Sequence, residues 1–307
     1  MSLYGFIRAK GKTGFGYSST AEAVTEGLDL KGKTILITGC NSGLGLETMR
    51  VLCKRGAHVI ATARTLERAA EATRSVTGKT TPLACELSDP YSISSCIEEI
   101  RSKGLSLDVI IANAGIMALP TLQVKHGFEL QFFTNHMGHF MLVTGLLDLL
   151  TDFGRVIILS SEAHKAAPKK GIEFDNLDGK LGYSPWTAYG QSKLANLLFA
   201  KELARKFQGT NRTSNALHPG VIRTNLGRSM NPFLIKVLLK MVDPLFLKSI
   251  PEGSATQCFA AVHPASSGLN GQYFADCNIA TPSLLSQDAE LAKKLWEQSE
   301  DIAKSFR

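Results

Sequence analysis

This 307-residue sequence lacks the patterns of a metal site, a secretory signal and a membrane-spanning helix. Its six cysteines form no C-x-x-C pair and no Cys/His spacing typical of a metal site, so we predict buried, reduced thiols and no bound metal. The first eight residues lack the apolar stretch of a secretory signal. No run of about 18 apolar residues occurs, which argues against a membrane-spanning helix. A cytoplasmic location is therefore expected.

Concentrated positive charge is also missing, although the net charge is +7 and the isoelectric point is about 9.1. Lysine and arginine are dispersed, and the densest cluster covers only residues 165–170. A nucleic-acid partner is therefore not expected. An anionic cofactor or a membrane surface accounts for the excess charge more simply.

Short β-branched or apolar runs alternate with segments of helical periodicity from residue 33 onward. The predicted strands lie at residues 34–37, 58–61, 82–87, 109–112, 156–159 and 214–217. The predicted helices lie at residues 44–54, 67–76, 92–102, 126–150, 186–207 and 287–304. This alternation is typical of a parallel sheet that helices cover on both faces. It predicts one α/β domain over residues 31–307, after an N-terminal extension (residues 1–30) in which Ser19 and Glu22 cap a short helix.

A glycine-rich loop, residues 38–45, follows the first predicted strand and opens a helix. Glycines permit a tight turn and close approach of the backbone to a pyrophosphate, whose charge the helix N-terminus attracts. Strand, loop and helix in this order predict a dinucleotide site in a Rossmann-like, doubly wound sheet of about seven strands. The loop residues predicted to contact the cofactor are Gly39, Asn41, Ser42, Gly43, Leu44 and Gly45.

The residue that follows the second strand bears on the choice of dinucleotide. An acidic side chain there would bind the ribose 2′-hydroxyl of NAD, but the sequence has Arg64 and no acid before Glu67. An arginine suits the 2′-phosphate of NADP, so NADP(H) is the predicted cofactor. A surface arginine without such a role is the alternative.

Tyr189 and Lys193 lie four residues apart on a predicted helix and hence on one face of it. A free phenol, with a pKa of about 10, is a poor acid or base at neutral pH. A nearby ammonium would lower that pKa, which suits proton exchange with a carbonyl or an alcohol. The spacing alone is common, so the assignment depends on the surrounding motifs.

Taken in order, the motifs resemble those of the short-chain dehydrogenase/reductase superfamily over about residues 31–280. The marks are the glycine loop, residues 113–115, Asn135, residues 160–161, Tyr189 with Lys193, and residues 218–220. Residues 18–22, 160–164 and 271–277 further resemble its retinol-dehydrogenase-like branch, which includes the dehydrogenase domain of WW-domain oxidoreductase. No WW module is expected, because the two tryptophans are Trp186 and Trp296.

The resemblance implies a role for each matching residue. Tyr189 would be the general acid/base, and Lys193 would lower its pKa and bind the nicotinamide ribose. Ser161 would hold the substrate oxygen, and Asn135 would keep a water in a proton relay behind Lys193. The residues implied to border the cofactor are Asn113, Ala114, Gly115, Pro219, Gly220, Ile222 and Thr224.

The implied activity is hydride transfer that interconverts a lipophilic, retinal-like carbonyl compound and its alcohol. The resemblance implies that residues 221–250 cover the substrate. The predicted helix there is apolar except for Lys236 and Lys240 on one face, which suggests a lipophilic substrate. Buried core and contact with a membrane surface are the alternatives. The alternative function is a regulatory or scaffolding protein that binds NADP(H) and senses redox state through a partner. By analogy, the helices at 126–150 and 186–207 would pair in a homo-oligomer.

The sequence departs from the family pattern in three places. Ala112 stands where many members have an asparagine. Glu86 stands where an aspartate commonly borders the adenine, and it has no assigned role. Ser161 and Tyr189 are 28 residues apart, which is a long spacing for the superfamily. Residues 164–185, which contain a turn signal at residues 176–179, are therefore expected to form an excursion on the surface.

Overall fold

Eight strands of two to ten residues form a central sheet in the computed structural model, which describes residues 10–222 and 247–306. The strands are β1 (Thr34–Ile37), β2 (His58–Ala63), β3 (Thr80–Ala84), β4 (Leu107–Ala112), β5 (Val124–Lys125), β6 (Phe128–Glu129), β7 (Leu150–Leu159), β8 (Thr213–His218), β9 (Tyr273–Ala275) and β10 (Asn278–Ile279). The strand order across the sheet is β3-β2-β1-β4-β7-β8-β9-β10, and β5 and β6 form a separate hairpin. All neighbours in the large sheet pair in parallel except β10, which is antiparallel to β9.

Helices cover the sheet on both faces. They are α1 (Ala21–Val24), α2 (Gly43–Lys54), α3 (Leu66–Arg74), α4 (Pro90–Ser102), α5 (Leu130–Phe132), α6 (Gly138–Thr144), α7 (Pro185–Lys206), α8 (Ile250–Val262) and α9 (Ala289–Lys304). A π turn, Phe133–Met137, joins α5 to α6. Successive residues of a strand point to opposite faces, so Leu36 packs in one apolar cluster while Ile35 and Ile37 pack in the other. The predicted α/β fold is confirmed, with eight strands rather than about seven.

Two predicted boundaries move in the structure. The helix predicted at residues 126–150 begins only at Leu130, contains the π turn and ends at Thr144, while β7 already begins at Leu150. The weak strand predicted at 82–87 is β3, which includes Pro82. A proline lacks the N–H that an inner strand must donate, and β3 tolerates it at the edge of the sheet.

The N-terminal extension is fastened to the far end of the sheet. Asn278 Nδ2 donates to Phe15 O at 3.0 Å, and the Phe15 ring meets Phe259 of α8 edge-on. The predicted short helix is present as α1, but its cap is Thr20, whose hydroxyl accepts from Ala23 N. The predicted capping box with Ser19 is wrong, because the Ser19 hydroxyl instead accepts from Gly16 N.

The long segment between Ser161 and Tyr189 is more than a surface excursion. Ile172 and Leu177 are buried in the apolar core. Backbone groups of the segment also pair with the domain, because Glu173 N donates to Gln191 Oε1 and Leu177 O accepts from Glu129 N. The turn predicted at residues 176–179 is present.

Most of the predicted substrate-covering segment, including Lys236 and Lys240, lies outside the described residues. Its two ends lie side by side: Ile222 and Lys248 form a parallel β-bridge, and Lys248 N donates to Val221 O at 2.9 Å. Among the residues that the structure does describe, no helix is both long and apolar enough to cross a membrane.

Helix α9 packs on the helices that were expected to pair in a homo-oligomer. The Trp296 ring lies 5.0 Å from that of Phe140 on α6 and 5.7 Å from that of Phe199 on α7. The Ser299 hydroxyl bonds His136 Nε2 at 2.9 Å. This face of α6 and α7 is thus covered by the chain itself. A homo-oligomer stays a prediction and would have to use another surface.

Trp296→Ala should lower the free energy of unfolding by about 3–5 kcal/mol, because it leaves a large cavity between α6, α7 and α9. Trp296 is only 6% exposed, whereas Trp186 is 40% exposed. Trp186→Ala is therefore the matched control, with an expected loss below about 1 kcal/mol. Urea denaturation followed by circular dichroism measures both losses, and equal losses would contradict the role given to α9.

Candidate active site

The predicted site residues follow the carboxyl ends of five parallel strands. Residues 38–45 follow β1, Arg64 follows β2, residues 113–115 follow β4, Ser161 follows β7, and residues 219–222 follow β8. Because these strands run in parallel, their carboxyl ends meet at one edge of the sheet, where open α/β sheets bind their ligands. Tyr189 and Lys193 reach the same place from the first turns of α7.

The glycine loop contains backbone conformations and close contacts that side chains would not allow. Gly39 and Gly43 have φ angles of 73° and 59°, which L side chains rarely adopt. A Cβ on Gly45 would lie 2.7 Å from Asn113 Nδ2 and would also collide with the carbonyl oxygen of Gly39. The first two glycines therefore permit the turn, and the third lets α2 pack against the loop.

The N-terminus of α2 faces solvent without a side-chain cap. Ser42 occupies the N-cap position but makes no capping hydrogen bond, and both Asn41 and Ser42 are exposed. The opposite side of this turn is held in place, because Leu44 O accepts from Gln257 Nε2 of α8 at 3.3 Å. A rigid, uncapped helix N-terminus fits the phosphates of a dinucleotide.

Asn113 and Gly115 also fit a bound ligand. Asn113 Nδ2 donates to Thr38 O at 2.7 Å, but its buried Oδ1 has no hydrogen-bond partner within the protein. A Cβ on Gly115 would lie 3.1 Å from Asn135 Oδ1 and 3.5 Å from Lys193 Nζ. The absence of a side chain at Gly115 therefore leaves open the space beside Asn135 and Lys193, and Asn113 contributes an acceptor that the protein itself does not satisfy.

Arg64 is 59% exposed and lies 3.7 Å from Glu86, measured between Nε and Oε2. Glu86 Oε1 also accepts from Ser88 N at 3.0 Å. Glu86, which has no role assigned from the sequence, therefore lies beside Arg64 at the ends of β2 and β3. At this distance and exposure the ion pair is weak, so the guanidinium stays accessible to an anion.

Tyr189 and Ser161 form the centre of the site. Tyr189 is half-buried, and its phenol is close enough to the Ser161 side chain for Ser161 to affect its pKa. Ser161 Oγ accepts from Ala163 N at 3.2 Å. Ser161 is the N-cap of a short 3-10 helix, Glu162–Ala166, which fixes its position after β7. The structure thus brings together the predicted acid/base and the predicted oxygen-binding hydroxyl.

Lys193 lies one turn after Tyr189 and is almost fully buried. Its Nζ is 5.7 Å from the centroid of the Tyr189 ring and donates to Leu159 O at 3.1 Å. The Ser160 hydroxyl donates to the Lys193 carbonyl at 2.8 Å. The residue before Ser161 thus ties α7 to the end of β7.

The pKa of Tyr189 departs from the sequence prediction. Burial raises it to about 12, although the nearby Ser161 side chain opposes the rise. Burial also lowers the pKa of Lys193 to about 8. Removal of the phenol from water therefore outweighs any attraction to an ammonium several ångströms away, and the predicted lowering is not found.

Asn135 lies at the middle of the π turn and is fully buried. Its side chain bonds both backbone groups of Ile116: Oδ1 accepts from Ile116 N at 2.8 Å, and Nδ2 donates to Ile116 O at 2.9 Å. Nδ2 also lies 2.9 Å from Ser192 Oγ. Asn135 therefore holds the loop that follows Gly115 against α7, and its predicted part in a proton relay stays a prediction.

The residues after β8 only partly belong to the described structure. Gly220 has a φ angle of 97°, and a Cβ there would lie 2.6 Å from the Lys248 side chain. Ile222 is buried, and a Cβ on Gly253 of α8 would also collide with it. Pro219 is half-buried beside them. Thr224 lies outside the described residues.

A model of the short chain dehydrogenase family matches residues 33–234. The chain belongs to this family. It is 42% identical to short-chain dehydrogenase TIC 32 B, chloroplastic, of Brassica napus, over 100% of both chains. Human retinol dehydrogenase 14 is 38% identical over 88% of this chain and 86% of its own, and human WW domain-containing oxidoreductase is 36% identical over 93% and 71%. The predicted resemblance to the retinol-dehydrogenase-like branch is confirmed.

Solved structures agree with this assignment. An uncharacterised protein from Mycobacterium Paratuberculosis superposes with a TM-score of 0.74 at 32% identity, over 92% of this chain and 97% of its own. The angucycline C-6 ketoreductase LanV, solved with NADP, has a TM-score of 0.65 at 24% identity over 80% and 95%, and shows the common fold. As a short-chain dehydrogenase, the chain is an oxidoreductase that binds a nicotinamide cofactor.

Sequence reasoning missed several residues of this short-chain dehydrogenase that support the site. The Thr38 hydroxyl accepts from Asn113 N and Ala114 N, both at 2.9 Å. His164 Nδ1 bonds Ser161 O at 2.6 Å, and its Nε2 accepts from Ser283 N. Thr38 and His164 lie within the motifs that carry the resemblance, but a motif does not show which of its members are bonded. The six cysteines are buried and free, as predicted.

We expect kcat/KM for the nucleotide to fall as the pH rises through about 8, because this ratio reports the groups of the free enzyme. Lys193, with its pKa lowered to about 8, loses its charge there, while Tyr189, with a pKa of about 12, stays protonated. Lys193→Arg, whose side chain stays charged, should be less active but lack the fall. Initial rates from pH 6 to pH 10 test this, and a wild-type profile without a fall would contradict it.

Proposed function

We propose that this short-chain dehydrogenase is an NADP-dependent reductase of lipophilic carbonyl compounds, with Tyr189 as the general acid. The observation that carries the proposal is that Ser161, Tyr189 and the buried ammonium of Lys193 come together at the sheet edge where the glycine loop lies. The resemblance to retinol dehydrogenase 14 supports the substrate class.

The roles of the side chains follow from their positions. A bound reduced nicotinamide would supply the hydride for the carbonyl carbon. Ser161 would hold the substrate oxygen beside the Tyr189 hydroxyl, and Tyr189 would give its proton to that oxygen as the negative charge develops. Lys193 would stabilise the resulting phenolate by its charge. In the reverse direction, Tyr189 would take the proton from the alcohol.

The raised pKa of Tyr189 keeps the phenol near neutral pH in the protonated form that carbonyl reduction requires. A phenol with a pKa of about 12 is protonated at pH 7 and can act directly as a proton donor. Alcohol oxidation requires the phenolate, so it needs a higher pH or a further positive charge nearby. The cationic nicotinamide of the oxidised cofactor would supply such a charge.

Exposed apolar side chains at this edge of the sheet support a lipophilic substrate. Trp186 lies one turn before Tyr189, with the ring centroids 6.2 Å apart and the planes at 81°. Val221, next to Gly220, is also exposed. Apolar surface beside polar catalytic groups is typical of a site that binds an apolar molecule by one polar end.

The proposed activity can be tested by following NADPH oxidation with aldehydes, ketones and quinones of increasing apolar length. We expect kcat/KM to rise with apolar length, because longer chains bury more surface beside Trp186. Tyr189→Phe should lower kcat by about 100-fold or more, because the general acid is lost. It should bind NADPH as wild type does, which fluorescence titration measures.

Two results would contradict the proposal. Equal turnover by Tyr189→Phe and wild type would remove the acid role. Nucleotide binding without turnover of any substrate would favour the alternative function, a regulatory or scaffolding protein that senses the redox state of NADP(H). Higher kcat/KM for short aldehydes than for long ones would remove the lipophilic substrate.

NADP specificity is proposed from the accessible guanidinium of Arg64 at the end of β2. Arg64→Ala should lower kcat/KM for NADPH about 10- to 100-fold, because a charged hydrogen bond to the 2′-phosphate is lost. The value for NADH, which has no such phosphate, should change little. Arg74→Ala, at an exposed arginine in the last turn of α3, is the control. A wild-type preference for NADH would contradict the proposal.

The cytoplasmic location stays a prediction, and so does a contact with a membrane surface. The Brassica relatives are named as chloroplastic, which makes a plastid location the competing hypothesis. Microscopy of the chain with a fluorescent protein at its carboxyl end distinguishes the two locations.

A further inference from the structure

His139, the second residue of α6, is a fully buried titratable residue that the chemistry above does not use. Both of its ring nitrogens are bonded. Nε2 lies 2.9 Å from Thr38 Oγ1, at the start of the glycine loop, and Nδ1 lies 2.8 Å from Asn135 O, in the π turn. The imidazole therefore links the glycine loop (residues 38–45, the nucleotide loop) to the helical segment that carries both His139 and Asn135.

The positions of the hydrogens on these groups can be deduced from the contacts of Thr38. Its hydroxyl oxygen already accepts from Asn113 N and Ala114 N. A hydroxyl has two lone pairs and one hydrogen, so the hydrogen is left to donate to His139 Nε2. Nε2 must then be the unprotonated nitrogen, and Nδ1–H donates to Asn135 O. A neutral imidazole with its proton on Nδ1 satisfies every group.

The chain of hydrogen bonds continues to the catalytic helix. Asn135 Nδ2 donates to Ser192 Oγ at 2.9 Å, and the Ser192 hydroxyl donates to the Tyr189 carbonyl at 2.7 Å. Each of these side chains is buried. Buried hydrogen bonds of this kind fix relative positions, because each group that loses its partner stays unsatisfied.

We propose that His139 is a positioning residue that fixes the nucleotide loop, through Thr38, relative to Asn135 and the turn of α7 that carries Tyr189. The proposal rests on the nucleotide site proposed above. It adds that one neutral imidazole fixes the position of this site relative to Tyr189, the proposed proton donor.

The requirement for histidine is specific. The two bonds need an acceptor and a donor on opposite sides of one rigid ring. Asparagine can place its amide near the position of Nδ1 and glutamine near that of Nε2, so each can replace only one of the two bonds. Burial lowers the pKa of His139 to about 4, so the ring stays neutral near pH 7 and Nε2 stays an acceptor.

His136 is a matched control in the same helical segment. It is also fully buried, and its Nε2 bonds the Ser299 hydroxyl of α9, on the side away from Thr38. Burial lowers its pKa as well, to about 3. His136→Phe and His139→Phe therefore remove a ring of the same size and burial, but only the second removes contacts with the nucleotide loop.

The experiment compares full-length wild type with His139→Phe, His139→Gln, His139→Asn and His136→Phe. Hydrogen exchange of the peptide that contains Asn113 and Ala114 is measured without nucleotide, and the NADPH dissociation constant by fluorescence titration. His139→Phe should reduce the protection of this peptide and raise the dissociation constant about 10-fold. His139→Gln, which keeps an acceptor for Thr38, should lie closer to wild type than His139→Asn. His136→Phe should lower the melting temperature but leave the dissociation constant within about twofold.

Unchanged protection and unchanged NADPH affinity in His139→Phe would overturn the inference, as would equal losses in His136→Phe, which indicate general loosening of the core. If His139→Phe does not fold, the order of the glutamine and asparagine variants decides. Failure of the wild type to bind either dinucleotide would contradict the proposed function, and the exchange measurement, made without nucleotide, would still decide the role of His139.

Discussion

The parallel pairing of β1 with β4, and of β4 with β7, is the constraint on which the site depends. Parallel strands carry their carboxyl ends to one edge, so the loops after them converge there wherever they lie in the sequence. Thr38 and Asn113 are 75 residues apart, yet they share two hydrogen bonds at this edge. Such pairing requires apolar residues on both faces of each strand, and the buried alternation around Leu36 supplies them. The core therefore positions the site directly.

Burial has opposite consequences for the two titratable residues of the site. It disfavours the charged form of each, which raises the pKa of the Tyr189 phenol to about 12 and lowers that of the Lys193 ammonium to about 8. The ammonium is 5.7 Å from the phenol ring and donates to the Leu159 carbonyl, so its charge does not reverse the effect of burial. The arrangement holds a protonated phenol next to a lysine that is close to losing its proton. This state suits proton donation more than proton removal.

Much of the fold could be predicted from the sequence, since β1 and α7 lie within one residue of their predicted bounds. Local pattern also placed Tyr189, Lys193 and the glycine loop. It could not find the π turn at Asn135, because no residue type marks a π turn. The local pattern also failed to predict the burial of Ile172 and Leu177, because a turn signal does not show which neighbouring side chains face the core. The direction of the Tyr189 pKa shift depends on desolvation, which spacing along a helix does not reveal.

The π turn links the apolar core to the candidate active site. A π turn inserts one residue into a helix and rotates the side chains on either side of it relative to each other. His136, within the turn, bonds Ser299 of α9, whereas His139, just after it, bonds Thr38 at the sheet edge. One helical segment can thus pack against α9 in the core and also hydrogen-bond to the nucleotide loop. A regular α-helix would direct residues three apart toward similar surroundings. The π turn therefore lets two histidines that are three residues apart bond to different places, His136 to α9 in the core and His139 to Thr38 at the site.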